Sequence, residues 1–172
     1  MYACYLLQGD EPLLIPRHLE LLIGAIQENP EGDAWNATGP IEEPEELDRY
    51  SFVKCSISES NRILYCFRKS PGYSEFYLQQ EYIRKILGLI VYRKDFLLNL
   101  ADLRTSKIEK TEFIEQMRII ENGFYLQSVP VSPSLPSVNE PQEANLVLEY
   151  IEINVEQQKL LKQILRNKQE QF

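Results

Sequence analysis

The chain is poor in the residues from which many catalytic sites are built. It holds one histidine, three cysteines and seven glycines in 172 residues. With His18 as the single imidazole, metal sites that need several are excluded, and any Ser-His or Cys-His pair must use it. His18 flanks an apolar helical stripe beside Leu14, Leu21 and Leu22, so a partly buried structural role is expected. Cys4, Cys55 and Cys66 are odd in number and form no CxxC pair, which argues against a disulfide framework or a four-thiolate zinc site. Cys55 and Cys66 read as reduced, buried small hydrophobes that are able to face each other across a hairpin.

The sequence lacks GxxxxGK[ST], GxGxxG, HExxH and GxSxG. P-loop and Rossmann nucleotide sites, zinc proteases and serine hydrolases are therefore disfavoured. No apolar run approaches the about 18 residues of a membrane span. The opening MYACYLLQGD has neither a basic n-region nor a small-residue cleavage site, so a cytosolic compartment is expected.

What is present is charge, unevenly placed. The net charge of -8 conceals an acidic segment, Glu28–Glu59, with nine acidic and two basic residues, followed by Ser60–Lys110 with ten basic and five acidic ones. The apolar pattern predicts an α+β fold: a small antiparallel or mixed sheet packed with about four helices. Tyr2–Gln8 reads as a strand closed by Gly9-Asp10, and Arg17–Glu28 as a helix ended by Asn29-Pro30. Within 29–48, EGDAWNATGPIEEPEELD carries Gly32, Gly39, Pro40 and Pro44 among its carboxylates and reads as a long acidic loop. Tyr50–Ile57 and Ile63–Phe67 alternate around Ser58-Glu59-Ser60-Asn61 and predict an antiparallel hairpin. Helical spacing is found over Ser74–Leu87 and again over Thr111–Glu121. Leu89–Leu103 fits either a strand through Tyr92 or a buried helix, because periodicity alone does not separate them.

Residues 1–128 thus read as an α+β body. In 129–141, Pro130, Pro133, Pro136 and Pro141 interleave with Ser132, Ser134 and Ser137, which predicts an extended linker. Residues 142–172 are expected to supply a strand around Leu146–Ile153 and a final helix capped by Asn154, packing back on the body or on a partner.

The stretch YLLQGDEPLLI, followed by a helix, resembles the start of the DNA polymerase III delta subunit, a clamp-loader protein of the AAA+ class. The resemblance covers Tyr5–Ile26. It implies that Gly9, Asp10 and Glu11 mark a phosphate loop without its lysine, and hence no nucleotide hydrolysis.

With no catalytic motif, the residues favour a non-catalytic interaction module over an enzyme: an adaptor, assembly factor or regulatory subunit. Its expected contacts are Trp35, Glu42, Glu43, Glu45 and Glu46 in the acidic loop and Leu161, Ile164 and Leu165 on the last helix. Trp35 is also suited to pinning that loop to the core. The alternative is a protein that binds single-stranded nucleic acid through Arg62, Arg68, Lys69, Tyr73, Arg84, Lys85, Arg93 and Lys94, cations interleaved with aromatic rings. An enzyme with an unrecognised carboxylate or thiol site is the remaining reading. Neither cofactor nor metal is expected. The partner is another protein or nucleic acid, not a membrane, and a homodimer is compatible with the last helix.

Overall fold

Residues Ile83–Arg93 decide the architecture. ILGLIVY is apolar without alternation, the mark of a strand buried on both faces. A computed structural model describes residues 2–169, and in it this eleven-residue strand, β5, is the spine of a mixed six-stranded sheet. The elements before it are β1 (Ala3–Leu7), α1 (Pro16–Glu28), β2 (Ala34–Gly39), a 3-10 turn (Pro44–Leu47), β3 (Lys54–Ile57), β4 (Ile63–Phe67) and α2 (Phe76–Tyr82). Those after it are α3 (Lys94–Asp102), α4 (Lys107–Glu112), α5 (Gln116–Glu121), β6 (Leu126–Pro130), α6 (Glu143–Ile153) and α7 (Val155–Gln169).

On one side β5 pairs with β2, which carries β6 in parallel on its far edge. On the other side two strands share it. β1 takes the C-terminal half, from Leu7 opposite Leu89 to Ala3 opposite Arg93, and β3 takes only Ile83–Lys85 and carries β4. Successive residues of a strand face opposite ways, so β2 and β5 feed two cores. Ala34, Ile90 and Tyr92 join Phe96, Ile114, Met117 and Ile119 from the α3–α5 layer. Trp35, Ala37, Leu89 and Val91 meet Leu22 of α1 on the opposite face.

Several expectations are corrected. The fold is α+β with a mixed sheet, but the described residues form six strands and seven helices, more than a small sheet with about four helices. The acidic loop contains β2, AWNATG, every residue of which is buried. Its Asn and Gly are poor strand formers, and the slot between β5 and β6 overrides that propensity by supplying ladder partners on both sides. The helix expected to reach Leu87 stops at Tyr82, because from Ile83 onward the same apolar residues gain more as the spine strand. Thr111–Glu121 is broken at Phe113 into α4 and α5. The strand expected around Leu146–Ile153 is helix α6. Val131 is buried and the Val138 amide donates to the Asp10 carbonyl at 2.8 Å, so the proline-rich segment lies along the body. Asn154 Oδ1 accepts the Gln157 amide at 3.0 Å and caps α7, while Gln157 Nε2 donates to the Leu13 carbonyl at 2.6 Å.

The hairpin forms with Cys55 directly opposite Cys66, both free thiols and fully buried. Burial pushes the Cys55 thiol up to about 12 and raises that of Cys66 well above its ordinary value. Among the described residues no helix is long and apolar enough to cross a membrane.

Lys54 is fully buried, and its ammonium donates to the carbonyls of Arg49 (2.7 Å), Phe52 (2.9 Å) and Arg68. Three N–H groups meet three acceptors, tying the segment before β3 to the end of β4. Lys54→Met leaves those carbonyls unpaired and is expected to lower unfolding free energy by about 2–4 kcal/mol, read by urea denaturation. Burial pulls the Lys54 pKa down from 10.5 to about 8. The unfolded chain therefore holds the proton more tightly between these values, and wild-type stability gains a rising contribution from pH 8 to 10.5 that the Met variant lacks.

Candidate functional site

Because β1 and β3 share one flank of β5, the ladder is broken between them, and Ile86–Gly88 is left to find other partners. The Gln8 amide donates to the Gly88 carbonyl at 2.8 Å, and the Ile86 amide to the Val53 carbonyl at 2.9 Å. The Gly88 amide finds no strand at all. It donates at 2.8 Å to Glu11 Oε1. Gly88 is demanded by this close approach, since a Cβ there would stand 2.7 Å from Gln8 Oε1 and 2.8 Å from Glu11 Cγ.

A cavity of about 380 Å³ opens at this break. One wall is the Gln8–Asp10–Glu11 turn that follows β1, and another is Arg49–Val53 before β3. The start of α5 with Phe113–Gln116 and the proline-rich segment with Glu143 of α6 complete it. Asp10 Oδ1 is buried and has no hydrogen-bond partner among the described residues. Burial raises the Glu11 carboxyl above its ordinary value, the Gly88 amide works against that rise, and the Asp10 charge adds to it.

The cations of the cavity differ in what they face. Lys85 pairs with Glu46 at 2.7 Å, and Arg49 pairs with Glu143. Burial opposes ionisation of Glu46, but Lys85 and the amides of Glu42 and Glu43 hold its carboxyl below the ordinary range. Arg68 meets three carbonyls and a ring: Nε donates to Glu112 (3.1 Å), Nη1 to Tyr50 (3.0 Å) and Nη2 to Phe113 (3.3 Å), and its guanidinium lies 5.0 Å from the centre of the Tyr50 ring. Among the described residues it has no carboxylate partner. Deeper in the wall, Gln116 Nε2 donates to Asn36 Oδ1 at 3.1 Å, and Asn36 Nδ2 donates to the Leu87 carbonyl at 2.9 Å, locking α5 to the sheet. His18 is buried nearby with Nε2 unpartnered, and burial lowers its pKa.

The structure separates the residues proposed as partner contacts. Trp35 is fully buried and cannot touch a partner. Glu42 and Glu46 line the cavity, Glu43 and Glu45 stand exposed on the 3-10 turn, and Leu161, Ile164 and Leu165 are exposed on α7. The cations proposed for nucleic acid are dispersed and mostly engaged within the chain. Arg62 lies over the Tyr125 ring, Arg93 pairs with Asp33 and Asp95, and Arg84 donates to the carbonyls of Gln80, Glu81 and Ile83. Lys94 lies over the Tyr2 ring, and Lys69 and Tyr73 are exposed. Of these, Arg68 and Lys85 reach the cavity. Of the cavity's first wall, Gln8 was not singled out in the sequence, whereas Asp10 and Glu11 were marked there, as a phosphate loop by resemblance, through the Gly-Asp-Glu-Pro turn at the end of the first strand.

Residues 3–130 match the cytidylyltransferase family. The chain is 33% identical over 144 residues to a 3-deoxy-manno-octulosonate cytidylyltransferase of Chlorobium limicola, covering 82% of this chain and 58% of that protein. It is 30% identical over 148 residues to the enzyme of the same name from Protochlamydia amoebophila, covering 84% and 57%. Its fold matches a CMP:2-keto-3-deoxy-manno-octonic acid synthetase solved with CTP, with a TM-score of 0.73, 27% identity and coverage of 86% of this chain and 62% of that one. The chain therefore spans somewhat more than half the length of these relatives. These matches overturn the expected adaptor and its protein partner, the nucleic-acid alternative, and the clamp-loader resemblance of Tyr5–Ile26, in favour of a family of enzymes.

Glu11→Gln keeps an acceptor for the Gly88 amide and removes the ionisable proton. The folded state raises this pKa, so the wild type loses stability as pH rises through it. The variant is expected to melt higher than wild type at pH 7, with the difference closing as pH falls below the ordinary carboxylate range, as read by thermal scans from pH 3.5 to 7.5.

Proposed function

Because the chain belongs to the cytidylyltransferase family, we propose that it transfers the cytidylyl group of CTP to a hydroxyl of a 3-deoxy sugar acid of the octulosonate type, releasing pyrophosphate. The observation that carries this is Asp10: a carboxylate oxygen buried without a partner at the mouth of the cavity, on the turn after β1. Asp10 is half-buried, and the buried oxygen that has no partner among the described residues is free to meet a ligand.

The donor set fits a divalent cation that is shared with a nucleotide. Among the described residues no three His, Cys, Asp or Glu side chains gather to cage a metal alone. Mg²⁺ is commonly held by one or two carboxylates together with substrate phosphates, and Asp10 is suited to be such a ligand. A cation bound there neutralises phosphate charge and polarises the phosphorus under attack. The chain's own groups orient the reactants. Arg68, with no carboxylate of its own, is placed to receive the acid group of the acceptor. Lys85 and Arg49, already neutralised, hold the wall that Glu46 and Glu143 would otherwise charge negatively. Self-association is compatible with this reading through the exposed apolar stripe of Leu161, Ile164 and Leu165, and light scattering reads it directly.

The test is pyrophosphate release from CTP with 3-deoxy-manno-octulosonate and Mg²⁺. Wild type is expected to turn over, chelation of the metal to abolish turnover, and Asp10→Asn to reduce it by roughly 10²-fold or more. A folded wild-type chain that neither binds CTP nor releases pyrophosphate overturns the reading.

A further inference from the structure

Phe113 adopts φ 55° and ψ 47°, the left-handed conformation, at the end of α4. The other non-glycine residue of positive φ among those described is Asn61, in the hairpin turn, where a short polar side chain tolerates it. For a bulky aromatic the same conformation is a genuine outlier, and it persists only where its surroundings enforce it. Here they do. The Phe113 amide donates to the Glu109 carbonyl at 2.9 Å, Arg68 grips the carbonyls of Glu112 and Phe113, and the next residue, Ile114, is buried in the core. Yet the ring so placed packs into nothing: it is 77% exposed, on the rim of the cavity. Packing therefore does not explain a phenylalanine here, and stability alone would favour glycine.

Resting on the reading of the site as a sugar-acid cytidylyltransferase, we propose that Phe113 is a specificity residue whose ring covers the apolar face of the acceptor and favours acceptors with a deoxy carbon. Arg68 supports the placement. The guanidinium that holds the Phe113 backbone, and lies over the Tyr50 ring, is the cavity cation without a carboxylate partner among the described residues, so an acid seated on Arg68 shares the cavity with the Phe113 side chain. A deoxy carbon presents C–H groups rather than a hydroxyl, and burying them against an aromatic face is favourable where a hydroxyl would lose its water.

The experiment compares Phe113→Gly and Phe113→Tyr in the full chain, measuring KM for the acceptor, KM for CTP, and melting temperature. The glycine variant is expected to melt no lower than wild type, to raise the acceptor KM roughly tenfold, and to leave the CTP KM unchanged. Phe113→Tyr, which keeps the ring, is expected to stay within about twofold of wild type. An acceptor KM that glycine leaves within about twofold of wild type overturns the proposal, as does an effect carried by CTP instead. Absence of turnover in the wild type overturns it together with the reading it rests on, a result distinct from an active wild type and an indifferent glycine variant.

Discussion

The amide of Gly88 must donate to something, and the rest of the site follows from how it does so. A buried N–H without an acceptor is expensive. At the middle of β5 the acceptor is not a neighbouring strand, because β1 and β3 approach from opposite ends and leave a gap. The Glu11 carboxylate fills that gap from the turn after β1. This single replacement of a strand by a side chain anchors the Gly9–Glu11 turn, sets Asp10 at the mouth of the cavity, and demands that residue 88 carry no Cβ.

The second organising constraint is charge balance across long sequence separations. The acidic segment does not face solvent as a uniform field: Glu46 is held by Lys85, Asp33 by Arg93, and Arg49 reaches Glu143 of α6. Three ion pairs, Asp33–Arg93, Glu46–Lys85 and Asp48–Lys69, join the acidic segment to the basic one, so the two are not simply two surfaces for two partners. Arg68 departs from this pattern: three of its five N–H donors go to backbone carbonyls, and its charge stays unopposed by a carboxylate among the described residues. Lys85 and Arg49, each paired with a carboxylate, are by contrast fixtures of the wall.

Local pattern carried some elements well. Helix α1, the hairpin of β3 and β4 with Cys55 facing Cys66, and the cap at Asn154 were legible because each rests on contacts between residues close in the chain. The left-handed Gly123, φ 79°, follows Asn122 as its sequence suggests. β2 and the first half of β5 were not legible. AWNATG has the composition of a turn, and Ile83–Leu87 also satisfies a helical stripe; each becomes a strand because a distant segment offers it a ladder. The site residues show the same division. The Gly-Asp-Glu-Pro turn stood out in the sequence, but its role depends on Gly88, seventy-seven positions from Glu11.

By itself, then, the amino-acid sequence determined an α+β chain, its first helix, the β3–β4 hairpin, the cap of the last helix, and the turn at Gly9–Pro12. Only the tertiary structure decided which apolar runs became sheet, which charges cancelled, and which carboxylate was left buried without a partner. The physical reason is that propensity and capping act over a few residues. Sheet pairing, ion pairing and the unpartnered oxygen of Asp10 are set by segments that meet only when the chain is folded.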